Sequence, residues 1–213
     1  MKIMALADIH SRLDYPRSVI EELRAVDLVI IAGDITNFGD HDEAKRVIEG
    51  ISRHNANVLA VPGNCDRSGV ARALNDYGMN LHATERIVND VTLMGVGGCN
   101  KTPFHTPTEY TEKEMERLLG EFRRRPEMSK YILVTHAPPH KTKLDRMFIG
   151  FHVGSKAIRS FIEHFEPDLV ICGHIHEAQG VDRVGKTVVL NPGPFPRHYA
   201  SIIFDETLHY ELH

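Results

Sequence analysis

Five short apolar runs, at residues 2–7, 28–32, 57–61, 131–135 and 168–172, each stop at glycine, proline or a polar residue. Runs of this length, rich in branched residues, read as buried strands. Helical spacing fills most of the intervals. Val19, Ile20 and Leu23 follow Pro16, and Ala44, Val47, Ile48 and Ile51 keep the i, i+3, i+4, i+7 rhythm of one apolar face. A weaker helix is expected over 68–77. Thr111 and Glu114 match a capping box ahead of Met115, Leu118, Leu119 and Phe122, and Ser155 caps a helix carrying Ile158, Phe161, Ile162 and Phe165. This alternation predicts an α/β chain with a partly parallel sheet. Runs 83–88 and 91–96 around Asn89-Asp90 read as a hairpin. Runs 187–190, 199–205 and 208–212 read as strands of a second, more antiparallel sheet. Without a repeat, low-complexity tract or linker, one domain over 1–213 is expected.

Charge narrows the partners. Lys and Arg number 25 against 29 Asp and Glu, a net −4 that argues against a broad nucleic-acid or anionic-membrane surface. No apolar run approaches the roughly 20 residues that span a bilayer, and the stretch before Asp8 is too short for a secretion signal. The three cysteines, Cys65, Cys99 and Cys172, are too scattered for a disulfide framework. A cytoplasmic location is the expectation. Arg123, Arg124 and Arg125 read as solvated cations at a helix end, with nucleic-acid contact as the alternative. The loop 138–154, holding His140, Lys141, Lys143, Arg146 and His152, reads either as an anion grip or as a mobile surface loop.

The residues just past the runs carry the chemistry. Asp8 and His10 come after the first, Asp34 after the second, Asn64 after the third, His136 after the fourth, and His174 with His176 after the fifth. In open α/β sheets ligands bind beyond the carboxyl ends of the strands, so these side chains are expected to converge. Were the chain extended after residue 172, His174 and His176 would point to one side together. Each residue also has a plainer reading: Asp8 and Asp34 as turn or helix caps, Asn64 as a turn residue, His136 as a histidine at the core's edge. As a set, two Asp, one Asn and four His suit borderline divalent transition metals and exceed one tetrahedral site.

Asp8-Ile9-His10, Gly33-Asp34, Gly63-Asn64-Cys65-Asp66, Thr135-His136 and Gly173-His174-Ile175-His176, in this order, resemble the five blocks of the calcineurin-like metallophosphoesterases. Asn191-Pro192-Gly193 resembles that family's later turn. The resemblance implies a four-layer α/β/β/α sandwich of two mixed sheets with its metal site at the strand carboxyl ends. It further implies one divalent metal on Asp8, His10 and His176, a second on Asn64, His136 and His174, and Asp34 bridging them. Two such ions can activate a bridging water as the hydroxide that attacks a phosphate ester. Manganese is the expected ion, with Ni, Fe, Zn, Co or Mg as alternatives. The expected activity is a phosphodiesterase acting on a small phosphate ester, more than a monoesterase; a non-catalytic metal-binding scaffold and a nuclease are the rival readings.

Cys65 departs from the family's common pattern, which places a proton-donating histidine there. The Cys form resembles a branch of small prokaryotic phosphodiesterases. Three roles stay open for it: a modest proton donor, a structural thiol with His105, His140 or His152 donating, or no donor at all. Asp66 reads as a supporting residue or as a cap for the helix at Ser68. Substrate identity and oligomeric state stay open.

Overall fold

The computed structural model describes residues 1–148 and 150–213. The first third of the chain alternates strand and helix: β1 (Lys2–Leu6), α1 (Arg17–Ala25), β2 (Leu28–Ala32), α2 (His41–Ser52), β3 (Val58–Val61) and α3 (Ser68–Asp76). A hairpin of β4 (Thr84–Val88) and β5 (Val91–Val96) follows, then two short strands, β6 (Cys99–Asn100) and β7 (Glu109–Tyr110), and α4 (Glu112–Leu119). Next come β8 (Lys130–Thr135), α5 (Lys156–Phe165), β9 (Leu169–Ile171), β10 (Gly180–Val184), β11 (Thr187–Asn191), β12 (Ala200–Phe204) and β13 (Leu208–Leu212).

These strands build two mixed sheets. One has the order β13-β12-β1-β2-β3, with β1, β2 and β3 parallel and β12 antiparallel to β1. The other has the order β10-β11-β9-β8-β5-β4, parallel from β11 to β5 and closed by the antiparallel edges β10 and β4. Side-chain alternation along β1 shows how they stack. Ile3, Ala5 and Ala7 pack between the sheets with Ile132, Val134, Leu169 and Ile171. Met4 and Leu6 face the other way, onto Val19, Leu23, Val47 and Ile51 of α1 and α2. On the far sheet Tyr131, Leu133 and Val170 meet Met115, Leu119, Ile158 and Ile162 of α4 and α5. The result is the α/β/β/α sandwich, and it explains why the strands read as unbroken apolar runs: both faces are covered.

Local signals set the element ends. Thr111 and Glu114 form the capping box reciprocally, with Thr111 Oγ1 accepting from Glu114 N at 3.2 Å. Ser155 Oγ accepts from Ile158 N at 3.2 Å to start α5. The three arginines after α4 are exposed but employed. Arg123 donates to the carbonyl oxygens of Gly120 and Phe122 at that helix's end, Arg124 donates to Phe165 O at 2.9 Å and stacks over Tyr131, and Arg125 pairs with Glu85.

The late strands differ from the sequence expectation. Runs 187–190, 199–205 and 208–212 do not share a second antiparallel sheet. β11 pairs in parallel with β9, whereas β12 pairs antiparallel with β1. Alternation tells which face of a strand is buried but not which partner it takes, and here both β9 and β1 offered an open edge. The strand β10, with Gly180, Asp182 and Arg183 in five residues, has an edge strand's mixed pattern and gave no apolar run to read.

Candidate metal centre

The loops after β1, β2, β3, β8 and β9 meet at one end of the inter-sheet core. Their backbones are unusual. Asp8 (φ 53°), His10 (φ 46°), Asp34 (φ 49°) and His174 (φ 72°) occupy the left-handed region, which costs a non-glycine residue roughly 1–3 kcal/mol unless its surroundings hold it. Here they do. Asp8 N donates to Gly33 O at 3.1 Å and His10 N to Asp34 O at 2.9 Å, while His174 N donates to both oxygens of Asp8 at 3.2 Å. The chain after β9 is therefore not extended: His174 is left-handed and a single 3₁₀ turn, His176–Ala178, follows. The two histidines diverge. His174 packs edge-on to His136, ring centroids 5.1 Å apart, and His176 edge-on to His10 at 5.2 Å.

Three overlapping sets of potential ligand atoms result among the described residues, one of them His10, Asp34 and Cys65. Those of Asp8, His10 and His176 lie within 4.8 Å of one another, as do those of Asp8, Asp34 and His136. His10 Nε2 and His176 Nε2 face each other at 3.2 Å, and His176 Nε2 is 3.5 Å from Asp8 Oδ1. On the other side His136 Nε2 lies 2.9 Å from Asn64 Oδ1 and 3.4 Å from Asp34 Oδ1. Asp34 turns its second oxygen, Oδ2, toward His10 Nε2 at 3.7 Å. His174 stands outside the close triads and lines the cleft with Asn64 and His176.

The donor set fits a divalent cation on its own chemistry. His136 Nδ1 lies 2.8 Å from the Ala32 carbonyl, so it carries the proton and leaves Nε2 with its lone pair toward the site. His10 Nδ1 is buried with no hydrogen-bond partner among the described residues. Burial pushes His10 down, and burial with His136 alongside pushes His174 to about 4. His136 is buried too, yet the Asp34 and Asp8 carboxylates outweigh that and hold it above the usual value; the Asp8 hydrogen bond does the same for His176. Burial alone would raise Asp8, but its hydrogen bond to His176 and the His136 imidazole bring it below the carboxylate norm. A site that gathers two buried carboxylates and draws protons onto imidazoles satisfies itself equally with metal cations.

Tight glycines let the loops approach. Gly33 has φ 87°, and a Cβ there would sit 2.6 Å from His136 Cγ; one on Gly63 would sit 2.7 Å from Asp34 Cα. Asp66 does not cap α3. Its buried carboxylate accepts from Ile35 N at 3.0 Å, Thr36 N at 2.8 Å, Thr36 Oγ1 at 2.8 Å and Gly63 N at 2.7 Å, tying the Asp34 loop to the Asn64 loop. Burial and the nearby Asp34 raise it to about 6. Cys65 is nearly enclosed: its N donates to Asp34 Oδ1 at 2.8 Å, and burial with the Asp34 carboxylate pushes its thiol far up. Asn191 Nδ2 donates to Ile175 O at 3.0 Å, bracing the histidine loop from the later turn.

Two contributors escaped the sequence reading. Thr106 Oγ1 accepts from Asn64 Nδ2 at 3.1 Å and donates to Glu109 Oε1 at 2.7 Å. A Thr and a Glu inside an irregular stretch carry no spacing signal that would mark them. Described parts of the loop 138–154 are tied together by the buried Asp145 carboxylate, which accepts from Lys141 N at 3.0 Å, Thr142 N at 2.9 Å and Gly154 N at 3.0 Å, and lies 2.7 Å from His152 Nδ1. Together with residues 100–104 this loop walls a cleft of about 660 Å³ that opens onto Asn64, His174 and His176.

Comparison with known proteins agrees with this architecture. A family model described as "Calcineurin-like phosphoesterase" matches residues 1–178. An uncharacterised protein of Methanocaldococcus jannaschii is 39% identical over 199 residues, covering 91% of this chain and 88% of its own. A probable glycerophosphodiester phosphodiesterase of Arcobacter nitrofigilis is 25% identical over 156 residues, 70% of this chain but only 56% of that protein. A dimetal phosphatase from Danio rerio shares the fold at a TM-score of 0.68 with 13% identity, over 100% of this chain and 95% of its own. With the family model spanning all five strand-end motifs and their loops meeting at one centre, the chain belongs to the calcineurin-like phosphoesterases.

Proposed function

We propose that this chain is a dimetal phosphodiesterase contained in one domain, residues 1–213. The observation that carries it is Asp34, whose two oxygens face different imidazoles, Oδ1 toward His136 at 3.4 Å and Oδ2 toward His10 at 3.7 Å. Asp34 is the bridging ligand in this reading. Asp8, His10 and His176 hold one ion, and Asn64, His136 and His174 hold the other. When bound, two divalent ions supply an activated water and neutralise charge on the phosphoryl oxygens. Manganese is the ion we assign.

The chain's own residues define the rest of the reaction. The Ala32 carbonyl fixes the tautomer of His136, and Thr106 holds the Asn64 amide so that its oxygen, not its nitrogen, meets the centre. In this reading Cys65 is a structural thiol rather than the proton donor: it is nearly enclosed, and its backbone N donates to Asp34 Oδ1 at 2.8 Å. His105, His140 and His152 are absent from the cleft lining among the described residues. A substrate whose leaving group departs with little protonation fits this lining. That favours diesters of acidic alcohols, and the Arcobacter relative, named a probable phosphodiesterase, supports the diester class.

A metal-by-substrate panel tests the reading. Metal-stripped protein is reloaded with Mn²⁺, Fe²⁺, Co²⁺, Ni²⁺, Zn²⁺ or Mg²⁺ and offered a diester, a monoester and a pyrophosphate, with Asp34→Asn as the blank. Diester hydrolysis highest with Mn²⁺, and lost by about 10²-fold or more in the variant, is the expected result. Two bound equivalents of Mn²⁺ with no hydrolysis of any class would leave a scaffold instead.

A further inference from the structure

The cleft above the metal centre has a composition that the phosphoryl chemistry does not require. Its floor is Asn64, His174 and His176, but its walls include Phe104, Met147, Phe151 and Ile175. Phe104 is 76% and Phe151 68% exposed. They stand on two separate segments, 100–104 and 147–153, that face one cleft.

Both rings sit on segments held by hydrogen bonds among the described residues. Asn100 Nδ2 donates to Val153 O at 3.0 Å and joins the two segments at their base. Phe104 N donates to Thr102 Oγ1 at 3.1 Å, and Met147 N donates to Phe151 O at 3.0 Å. Apolar rings held in water beside a reactive centre lose hydration cost only when something apolar covers them. The cleft, about 660 Å³, is of the size that accommodates a small molecule rather than a polymer. Flat rings and a thioether favour a further aromatic face over a flexible alkyl chain, because edge-on and offset contacts add to simple burial.

We infer that this cleft is an aryl subsite: the protein selects phosphate esters that carry an aromatic substituent over those with small polar or alkyl groups. The inference rests on the phosphodiesterase reading for its orientation, with phosphorus at the histidines and the aryl group between Phe104 and Phe151. It predicts discrimination against a glycerol ester.

Non-hydrolysable phosphonates separate binding from turnover. Calorimetry on Mn²⁺-loaded protein compares phenylphosphonate, n-butylphosphonate and methylphosphonate, with wild type and with the double variant Phe104→Ala/Phe151→Ala. Both rings are exposed, so the variant keeps the wild-type thermal midpoint. The expected result is phenylphosphonate binding about tenfold tighter than methylphosphonate, about 1.4 kcal/mol, with n-butylphosphonate between them and the ratio falling to about twofold in the variant. Equal affinity for phenyl and methyl, butyl as tight as phenyl, or a ratio unchanged in the variant would each overturn the subsite. The two proposals fail separately. A phenyl preference without turnover of methyl p-nitrophenyl phosphate removes the reaction and keeps the subsite; turnover without a phenyl preference does the reverse.

Discussion

Glu109 shows how far from the ligands a residue can reach the centre. Its carboxylate accepts from Thr102 N at 3.2 Å, Thr102 Oγ1 at 2.6 Å, Thr106 N at 2.8 Å and Thr106 Oγ1 at 2.7 Å, and Thr106 in turn orients the Asn64 amide. Burial alone would raise Glu109, but these four bonds outweigh it and bring it from an ordinary 4.5 to about 2. A depressed folded-state value stabilises the fold wherever the unfolded chain would already be ionised. The contribution is fully present above pH 4.5 and is lost as pH falls through the folded value near 2. Glu109→Gln removes it. Thermal midpoints of the two proteins should differ by a constant amount above about pH 5 and converge between about pH 4.5 and the lowest pH at which both stay folded. A difference that does not narrow on acidification would contradict the assignment. A companion measurement, metal stoichiometry at neutral pH, should show the Asn64 side of the centre weakened first.

Among the elements, those fixed by side-chain periodicity could be read from the sequence and those fixed by polar loops could not. The run 28–32 is β2 itself (Leu28–Ala32), and Ala44, Val47, Ile48 and Ile51 are the buried stripe of α2. The seven expected ligand positions also lie at one end of the sandwich, because each follows an apolar run whose end could be placed. The path of the chain beyond each run was less accessible. A left-handed φ at His174 is only weakly signalled by a histidine, so the extended reading of the His174–His176 pair failed. In loop 138–154 the cations are conspicuous in the sequence, whereas the hydrogen-bonding role of Asp145, the one acid in it, is not. Asp145→Asn tests that residue's part. Replacing one acceptor oxygen by an amide leaves the buried donors of Lys141, Thr142 or Gly154 without a partner, at about 1–3 kcal/mol for a buried group. Hydrogen exchange should rise across 138–154 while 2–6 and 28–32 stay protected, and Mn²⁺ affinity should change by less than about threefold. Exchange rising equally everywhere would mean that Asp145 supports the whole fold and not this wall.

At the scale of the molecule, the centre is divided between the two sheets. Asp8, His10, Asp34 and Asn64 come from the sheet holding β1, β2 and β3, and His136, His174 and His176 from the sheet holding β8 and β9. In the proposed dimetal reading, the geometry of these side chains is expected to depend on how the sheets seat on one another through the core between them. β2 offers a direct comparison. Ile30 and Ile31 are neighbours, both with 0% exposure, but Ile30 packs between the sheets and Ile31 beneath the helices. Replacing either with alanine removes the same atoms from full burial and costs about 2–5 kcal/mol. Their effects on the metal should differ. Ions that bind only the folded state raise stability by RT ln(1 + [L]/Kd), so the gain in unfolding free energy on adding saturating Mn²⁺ reports affinity within each variant. Ile31→Ala should keep the wild-type gain. Ile30→Ala should lose about 1 kcal/mol or more of it, roughly fivefold in affinity, because its cavity lets one sheet shift against the other. Equal gains in both variants would show that the loops, held by Asp66 and the Ala32–His136 bond, set the ligand positions without help from the inter-sheet core.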